Sequence, residues 1–161
     1  MATIIKPPQN LGKIPEQRSF FLAGSIEMGK AVDWQSQVGN KFDNFDIIIW
    51  NPRRLSWDSS WEQSIDNPLF KEQVDWELDA LDRAEAIFFH FEPQTQSPIT
   101  LMELGLFASS KKCIVHCPEG FWRKGNVDIV CQRYNIQQVN SIEQGILLLQ
   151  KQFNNCQKNS F

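Results

Sequence analysis

The sequence predicts an α/β protein built on a doubly wound sheet of about five parallel strands flanked by helices. Its apolar runs are continuous rather than alternating, as in strands that are covered on both faces. Helix-like segments separate successive runs, and the connections between them are short. The 161 residues are 42% hydrophobic and 22% charged, values typical of one soluble globular domain.

The predicted strands and helices alternate from residue 19 onward. The first 18 residues hold three prolines and predict an irregular leader, which leaves 19–161 as a single domain. Segment 52–68 has no regular pattern and is expected to be a loop over the site. Apolar runs predict strands at 19–24, 46–50, 86–91, 112–117 and, more weakly, 134–139. Sequence pattern predicts helices near 29–42, 67–84, 100–110 and 141–153.

Charge and cysteine content argue against several classes of protein. The net charge is −3 and basic residues occur only as scattered pairs, so nucleic acid is not an expected partner. No apolar run is long enough to span a bilayer and the start lacks an apolar signal segment, so no membrane association is expected and the cytoplasm is the default location. The cysteines lack zinc-site spacing and are interpreted as buried thiols in a reducing compartment: Cys113, Cys117, Cys131 and Cys156. No metal or cofactor is predicted.

The residues that follow each predicted strand are the candidates for a binding site. Sheets of this class bind ligands at the carboxyl ends of their strands, near the switch point in strand order. Gly24 and Ser25 follow the first strand and could bring N–H groups and a hydroxyl to a substrate, with an ordinary strand-to-helix turn as the alternative. Asn51 follows the second strand and is a further substrate-binding candidate.

Glu103 is the leading candidate for a chemical group. It is the single carboxylate in the otherwise uncharged stretch 99–110, and its helical neighbours in projection are apolar or small. An ionised Glu on an apolar element costs several kcal/mol unless it is hydrogen-bonded or used. A structural Glu bonded to a Trp N–H or to the backbone is the alternative.

Helix 67–84 carries a second unusual acid. Glu77 projects inside the expected buried stripe of that helix, and Asp75 lies just outside one margin of it. The remaining acids of this helix, Asp79 and Asp82, are expected on a solvated face. The stripe comprises Phe70, Val74, Leu78, Leu81 and Ala84.

Two inward carboxylates from different helices suit chemistry at the anomeric carbon of a sugar. In retaining glycosyl transfer one carboxylate attacks that carbon and an acid protonates the leaving group. The covalent ester then passes the sugar to a second acceptor, which can also be water. The residues alone leave transfer and hydrolysis open.

Three segments occur in a characteristic order: Phe-Leu-Ala-Gly-Ser at 21–25, Asp-Trp-Glu-Leu-Asp-Ala-Leu at 75–81 and Ile-Thr-Leu-Met-Glu-Leu-Gly at 99–105. Together with Phe-Trp-Arg-Lys-Gly-Asn at 121–126, they resemble the nucleoside 2-deoxyribosyltransferases. The similarity spans about 19–139. It implies a flavodoxin-like fold and a ping-pong transfer of 2-deoxyribose between nucleobases, as in nucleobase salvage.

The resemblance also implies roles for particular residues. Glu103 matches the family nucleophile, and Glu77 or Asp75 matches the acid beside the base. Asn126 matches an Asn that is donated across a subunit interface, so a homo-oligomer, a dimer or a hexamer, with shared active sites is expected. The family's chain terminus lies near its sites, which makes the Phe161 carboxylate of interest.

The chain departs from the family where segment 94–97 replaces a typical acid, and Glu92 could take over its recognition of the sugar hydroxyl. Trp76, like Trp50 or Phe21, could stack on a base. His90 and His116 lie in apolar strands and are interpreted as core residues.

Two rival functions remain at this point. One is a nucleoside or nucleotide N-glycosidase on the same fold, with Ser25, Ser97 and Arg53 as possible donors to a 5′-phosphate. The other is a non-catalytic nucleotide-sensing module in which Glu103 only hydrogen-bonds a ribose.

Overall fold

A computed structural model describes residues 1–12, 18–26, 32–56 and 58–154. These residues form six strands in one parallel sheet. The strands are β1 (Thr3–Ile5), β2 (Ser19–Gly24), β3 (Ile48–Trp50), β4 (Ala86–His90), β5 (Cys113–His116) and β6 (Gln137–Val139). The helices are α1 (Trp34–Gly39), α2 (Pro68–Arg83), α3 (Pro98–Phe107), α4 (Lys124–Tyr134) and α5 (Ile142–Asn154).

The strand order is β1-β3-β2-β4-β5-β6. Without β1, this is the flavodoxin-like order, in which the chain first adds strands on one side of the initial strand and then crosses to the other. The predicted fold class is therefore confirmed, and its switch point lies between β2 and β4. Five of the six strands are those that the apolar runs predict.

The helices cover the sheet on both faces and divide the core into two clusters. On one face, α2, α3 and α4 pack against side chains such as Phe21, Phe89 and Val115. On the other face, α1 and α5 pack against alternate residues of the same strands, including Phe20 and Phe88. This double coverage explains why the strand sequences are continuously apolar.

Local sequence signals fix the two helices that matter most for the site. Helix α2 begins at Pro68, and the Asn67 side chain accepts hydrogen bonds from the N–H groups of Leu69 and Phe70. Helix α3 also begins at a proline, Pro98. Both helices start within one residue or two of the predicted positions.

The buried face of α2 differs from the predicted stripe. The residues that point inward are Gln73, Trp76, Ala80 and Leu81, whereas Leu78 is 36% exposed and Phe70 is only partly buried. The helix is rotated because the large Trp76 ring enters the core against Trp50. Glu77 stays beside the inward face in this orientation.

Two elements are absent from the sequence-based expectations. Strand β1 pairs with β3 at the sheet edge, so the leader is not irregular throughout, although the division of the chain at residue 18 stays a prediction. Helix α4 buries only Val127 and Cys131, which is too little for a visible periodic signal. In the predicted segment 29–42, regular helix begins only at Trp34, and residues 29–31 lie outside the described part.

Cys113, Cys117 and Cys131 are buried free thiols, and Cys156 lies outside the described residues. Among the helices of the described ranges, none has both the length and the apolar character needed to cross a membrane.

Candidate active site

The loops that follow β2 and β4 are tied to each other at the switch point. A Cβ at Gly24 would lie 2.3 Å from the His90 carbonyl oxygen and 2.6 Å from the Trp34 ring, so only glycine permits this approach of β2 to β4. The Ser25 N–H donates to the His90 carbonyl at 3.1 Å, and the Glu92 N–H donates to the Ser25 hydroxyl at 3.0 Å. Gly24 and Ser25 therefore build the floor of the candidate site.

A cluster of three hydroxyl groups joins this floor to helix α3. The Ser25 Oγ lies 2.8 Å from the Thr95 Oγ1 and 2.6 Å from the Ser97 Oγ, and the last two are 2.7 Å apart. Ser97 has a left-handed backbone conformation, with φ of 46°, directly before the first residue of α3. Because the cluster fixes the start of α3, it also sets the position of Glu103.

Glu103 is buried, with 6% of its surface exposed. Within the described ranges, no hydrogen bond or ion pair to its carboxyl group is found. Burial first, and then the negative charge of Glu77, raise its pKa well above the usual value for a glutamate. Burial and this neighbouring charge therefore favour the protonated form of the Glu103 carboxyl group.

Glu77 is the neighbouring acid on α2. Burial raises its pKa to about 7, and a hydrogen bond from the Gln73 side chain offsets part of that rise. The Gln73 Nε2 lies 2.6 Å from the Glu77 Oε1. Since the charge of Glu77 raises the pKa of Glu103, the two carboxyl groups titrate as a pair. Ionisation of Glu77, with a pKa of about 7, therefore opposes ionisation of Glu103.

Asp75 lies apart from this pair. Its side chain is 54% exposed and forms an ion pair with Lys71 one turn earlier on α2. Asp79 and Asp82 are exposed on the same helix, as expected for a solvated face. Of the candidate acids on α2, Glu77 is therefore the one that the fold brings to Glu103.

Asn51 and Trp76 are both buried and already make structural hydrogen bonds. The Asn51 side-chain oxygen accepts from the Arg53 N–H at 3.0 Å, and the Asn51 N–H donates to the Ile5 carbonyl at 3.0 Å. The Trp76 Nε1 donates to the Gln9 carbonyl at 2.9 Å. Their roles as substrate contacts stay predictions.

Asn126 lies in a different place from the acid pair. It is exposed on α4, in a groove of about 280 Å³ between α3 and α4 that Leu104 and Gly105 also line. These two residues project roughly 100° to 200° from Glu103 around α3. The fold therefore does not aim Asn126 at the Glu103 of its own chain. Phe161 lies outside the described residues.

A histidine pair stands beside the hydroxyl cluster. The Nδ1 atoms of His90 and His116 are 2.8 Å apart, and the His90 Nε2 lies 3.0 Å from the Glu92 Oε1. Burial lowers the pKa of both imidazoles, and in His116 the neighbouring His90 lowers it further. Glu92 is thus already bonded to His90, in the region where an acid of the sugar site was expected.

Sequence reasoning did not identify the bond from Gln73 to Glu77 or the histidine pair. The spacing of four residues between Gln73 and Glu77 on one helix is a signal that was available. The histidine pair depends on the register of β4 and β5, which places His90 opposite His116. Across the described ranges, no group of three or more His, Cys, Asp or Glu side chains is placed to hold a metal ion.

Comparison with known proteins supports the resemblance seen in the sequence. The family model described as "Nucleoside 2-deoxyribosyltransferase like" matches residues 17–121, which is most of the chain and includes both Glu77 and Glu103. No curated protein matches the chain significantly. The chain belongs to the nucleoside 2-deoxyribosyltransferase-like family.

Proposed function

We propose that this family member exchanges the nucleobase of 2-deoxyribonucleosides through a deoxyribosyl ester on Glu103. The observation that carries the proposal is the placement of two carboxyl groups, from α2 and α3, where burial disfavours ionisation of both and the charge of Glu77 further disfavours ionisation of Glu103. A pair that holds one proton near neutral pH has one group for nucleophilic attack and one for proton transfer. The family membership supports glycosyl transfer as the reaction class.

In the first half-reaction the Glu103 carboxylate attacks C1′ of the nucleoside. The bond from C1′ to the base breaks, and Glu77 gives its proton to the departing base nitrogen. In the second half-reaction a new base attacks C1′, the ester bond breaks, and Glu77 takes up the proton of the incoming base. The enzyme returns to its starting state, so no cofactor is needed for balance.

The proton of the pair has to move when the substrate binds. Burial favours the proton on Glu103 in the empty site, whereas attack requires the ionised form of this group. Positive charge that develops at C1′ beside Glu103 favours its carboxylate and leaves the proton with Glu77. The same positive charge explains a preference for deoxyribose, because a 2′-hydroxyl withdraws electrons from C1′.

The proposal includes a homo-oligomer in which Asn126 serves the site of a neighbouring subunit. Helix α3 supports this, because its outer face carries three apolar side chains that are each more than half exposed: Ile99, Met102 and Leu106. They flank Glu103 on the side away from the groove of Asn126. Light scattering at several protein concentrations measures the expected dimer or hexamer, and a monomer would remove this part of the proposal.

An exchange assay tests the reaction directly. The protein is mixed with deoxyinosine and free adenine, and the products are separated by chromatography. Formation of deoxyadenosine supports transfer, and free deoxyribose alone would show an N-glycosidase instead. Binding without turnover would show a sensing module. A cytoplasmic salvage role belongs to the same proposal and depends on the first outcome.

A further inference from the structure

We infer that Gln73 is a positioning residue of the acid pair, held by the Pro52 carbonyl so that its amide offers Glu77 a donor and no acceptor and thereby favours the ionised form of Glu77. The inference deepens the proposed function and rests on it for its catalytic meaning. The geometry of the bond stands independently of the reaction.

The amide of Gln73 makes two hydrogen bonds from one end and none from the other. Its Nε2 lies 2.6 Å from the Glu77 Oε1 and 3.1 Å from the Pro52 carbonyl oxygen. Its Oε1 is buried and has no hydrogen-bond partner in the described residues. The residue is only 4% exposed, so bulk water does not readily compensate for this asymmetry.

The Pro52 carbonyl decides which way the amide points. A flipped Gln73 would place its carbonyl oxygen against another carbonyl oxygen, which can only accept. A hydrogen bond that spans Pro52 holds this residue in place: the Asn51 side-chain oxygen accepts from the Arg53 N–H. The loop after β3 therefore fixes the amide with its donor towards α2.

An amide fixed in this way discriminates between the two states of Glu77. It donates to the carboxylate and offers no acceptor to the protonated acid, so it favours the ionised form. Glu103 of α3 is the acid whose titration the charge of Glu77 affects. Other nearby charges are engaged elsewhere: Lys71 pairs with Asp75, and Arg54 pairs with Glu72.

This preference has a catalytic consequence. By opposing burial, Gln73 keeps Glu77 acidic enough to give a proton to a departing base. It also lowers the pH at which the pair loses its first proton. When substrate binds, the remaining proton passes from Glu103 to Glu77, which leaves Glu103 ionised for attack. Loss of the donor therefore moves the acid limb of the rate profile to higher pH.

Two substitutions separate this role from simple packing. Gln73→Met keeps the length of the side chain and removes the donor, and Gln73→Glu replaces the donor with an acceptor. Carbon-13 NMR of glutamate-labelled protein follows the carboxyl of Glu77, and Glu77→Gln assigns the signal. Gln132→Met is the matched control, because Gln132 is exposed on α4.

We expect the Glu77 midpoint to rise by about one pH unit in Gln73→Met and further in Gln73→Glu, as for loss of one hydrogen bond to a charged group. The acid limb of kcat/KM for base exchange should move by the same amount, which gives about a tenfold loss on that limb and recovery at higher pH. Gln132→Met should move neither.

An unchanged Glu77 midpoint in both variants would overturn the inference. So would a rate that falls equally at all pH values, because that is the signature of a packing defect. If the wild-type protein performs no exchange while the Glu77 midpoint still moves, the bond is upheld and the proposed function fails.

Discussion

Two buried titratable pairs lie near the carboxyl ends of the strands, and they differ in how their polar groups are hydrogen-bonded. His90 and His116 stack with ring centroids 4.9 Å apart and hydrogen-bond to each other, and His90 also reaches Glu92. In the acid pair, Gln73 donates to Glu77, and no hydrogen bond to the Glu103 carboxyl group is found in the described residues. Neutral imidazoles satisfy one another, whereas two carboxyl groups each penalise the ionised form of the other.

This difference in hydrogen bonding indicates which pair has a structural role and which pair has a catalytic one. A hydrogen-bonded pair stabilises the structure by the bonds it makes. A pair with a raised pKa and few partners lowers stability and is explained by what it does to a ligand. Substitutions should therefore affect the two pairs in opposite ways.

The largest effect is expected from Glu103→Gln. Loss of the nucleophile should reduce base exchange by about a thousandfold or more. The same change removes a buried acid without partners in the described residues, so the free energy of unfolding at pH 8 should rise by roughly 1 kcal/mol or more. Exchange assays and urea unfolding measure the two quantities.

His116→Gln is the control for that experiment, because it alters the other buried pair. Retained exchange in Glu103→Gln would exclude Glu103 as the nucleophile. A loss of stability in the same variant would show that its carboxyl group is structural.

The uncharged stretch 99–110 and its helical projection predict that Glu103 is an acid on an apolar face, and its burial confirms this placement. The inward placement of Glu77 is also predicted from the sequence, although the predicted stripe of α2 has Leu78 inside and the structure places it outside. The rotation follows from the fit of Trp76 against the core, which depends on contacts between distant segments. The spacing of apolar residues predicts which side of a helix is buried, but the buried stripe is wide, so residues at its margins are not placed reliably.

The rest of the site could not be predicted because it depends on strand register and loop geometry. The hydroxyl cluster joins Ser25 to residues about seventy positions later, across the switch point. Strand β1 has three residues and little burial, so its pairing with β3 leaves no periodic signal. Such contacts are properties of the assembled sheet.

The next effect in size is expected from Glu77→Gln. Removal of the proton donor should lower exchange by about a hundredfold or more for bases that leave poorly. A nucleoside whose base leaves as a stable anion needs no proton and should lose much less. The ratio of the two rates, measured on the same variant, checks the role. Asp75→Asn is the matched control and should leave both rates close to wild type.

If both substrates lost activity equally in Glu77→Gln, Glu77 would not be the acid. A selective loss in Asp75→Asn would assign the donor to Asp75 in its place.

The pH dependence of stability should show opposite slopes for the two pairs. The pKa of Glu77 is about 7 in the folded protein against 4.5 when unfolded, so the folded state binds more protons between these values. Its contribution to stability is therefore lost as pH rises from 4.5 to about 7, by roughly 3 kcal/mol. Burial lowers the pKa of His90 and His116, so their contribution is gained as pH rises towards 6.5.

Urea unfolding across this range in Glu77→Gln isolates the first slope. The variant should be less sensitive to pH than the wild type above pH 5. An identical pH dependence in the two proteins would mean that Glu77 titrates normally in the folded state.

The smallest effect is expected from His90→Gln, which breaks the imidazole pair without adding charge. The bonds from His90 to His116 and to Glu92 are lost in part, and a net cost of about 1–2 kcal/mol in the free energy of unfolding follows. Exchange should fall far less than in Glu103→Gln, since His90 touches neither acid of the pair in the contacts described. A loss of exchange as large as that of Glu103→Gln, with stability unchanged, would move the chemistry to the histidines. Glu103→Gln should raise the free energy of unfolding and nearly abolish exchange, whereas His90→Gln should lower the free energy of unfolding and affect exchange much less. Unfolding and exchange measurements on both variants therefore separate the structural pair from the reactive one.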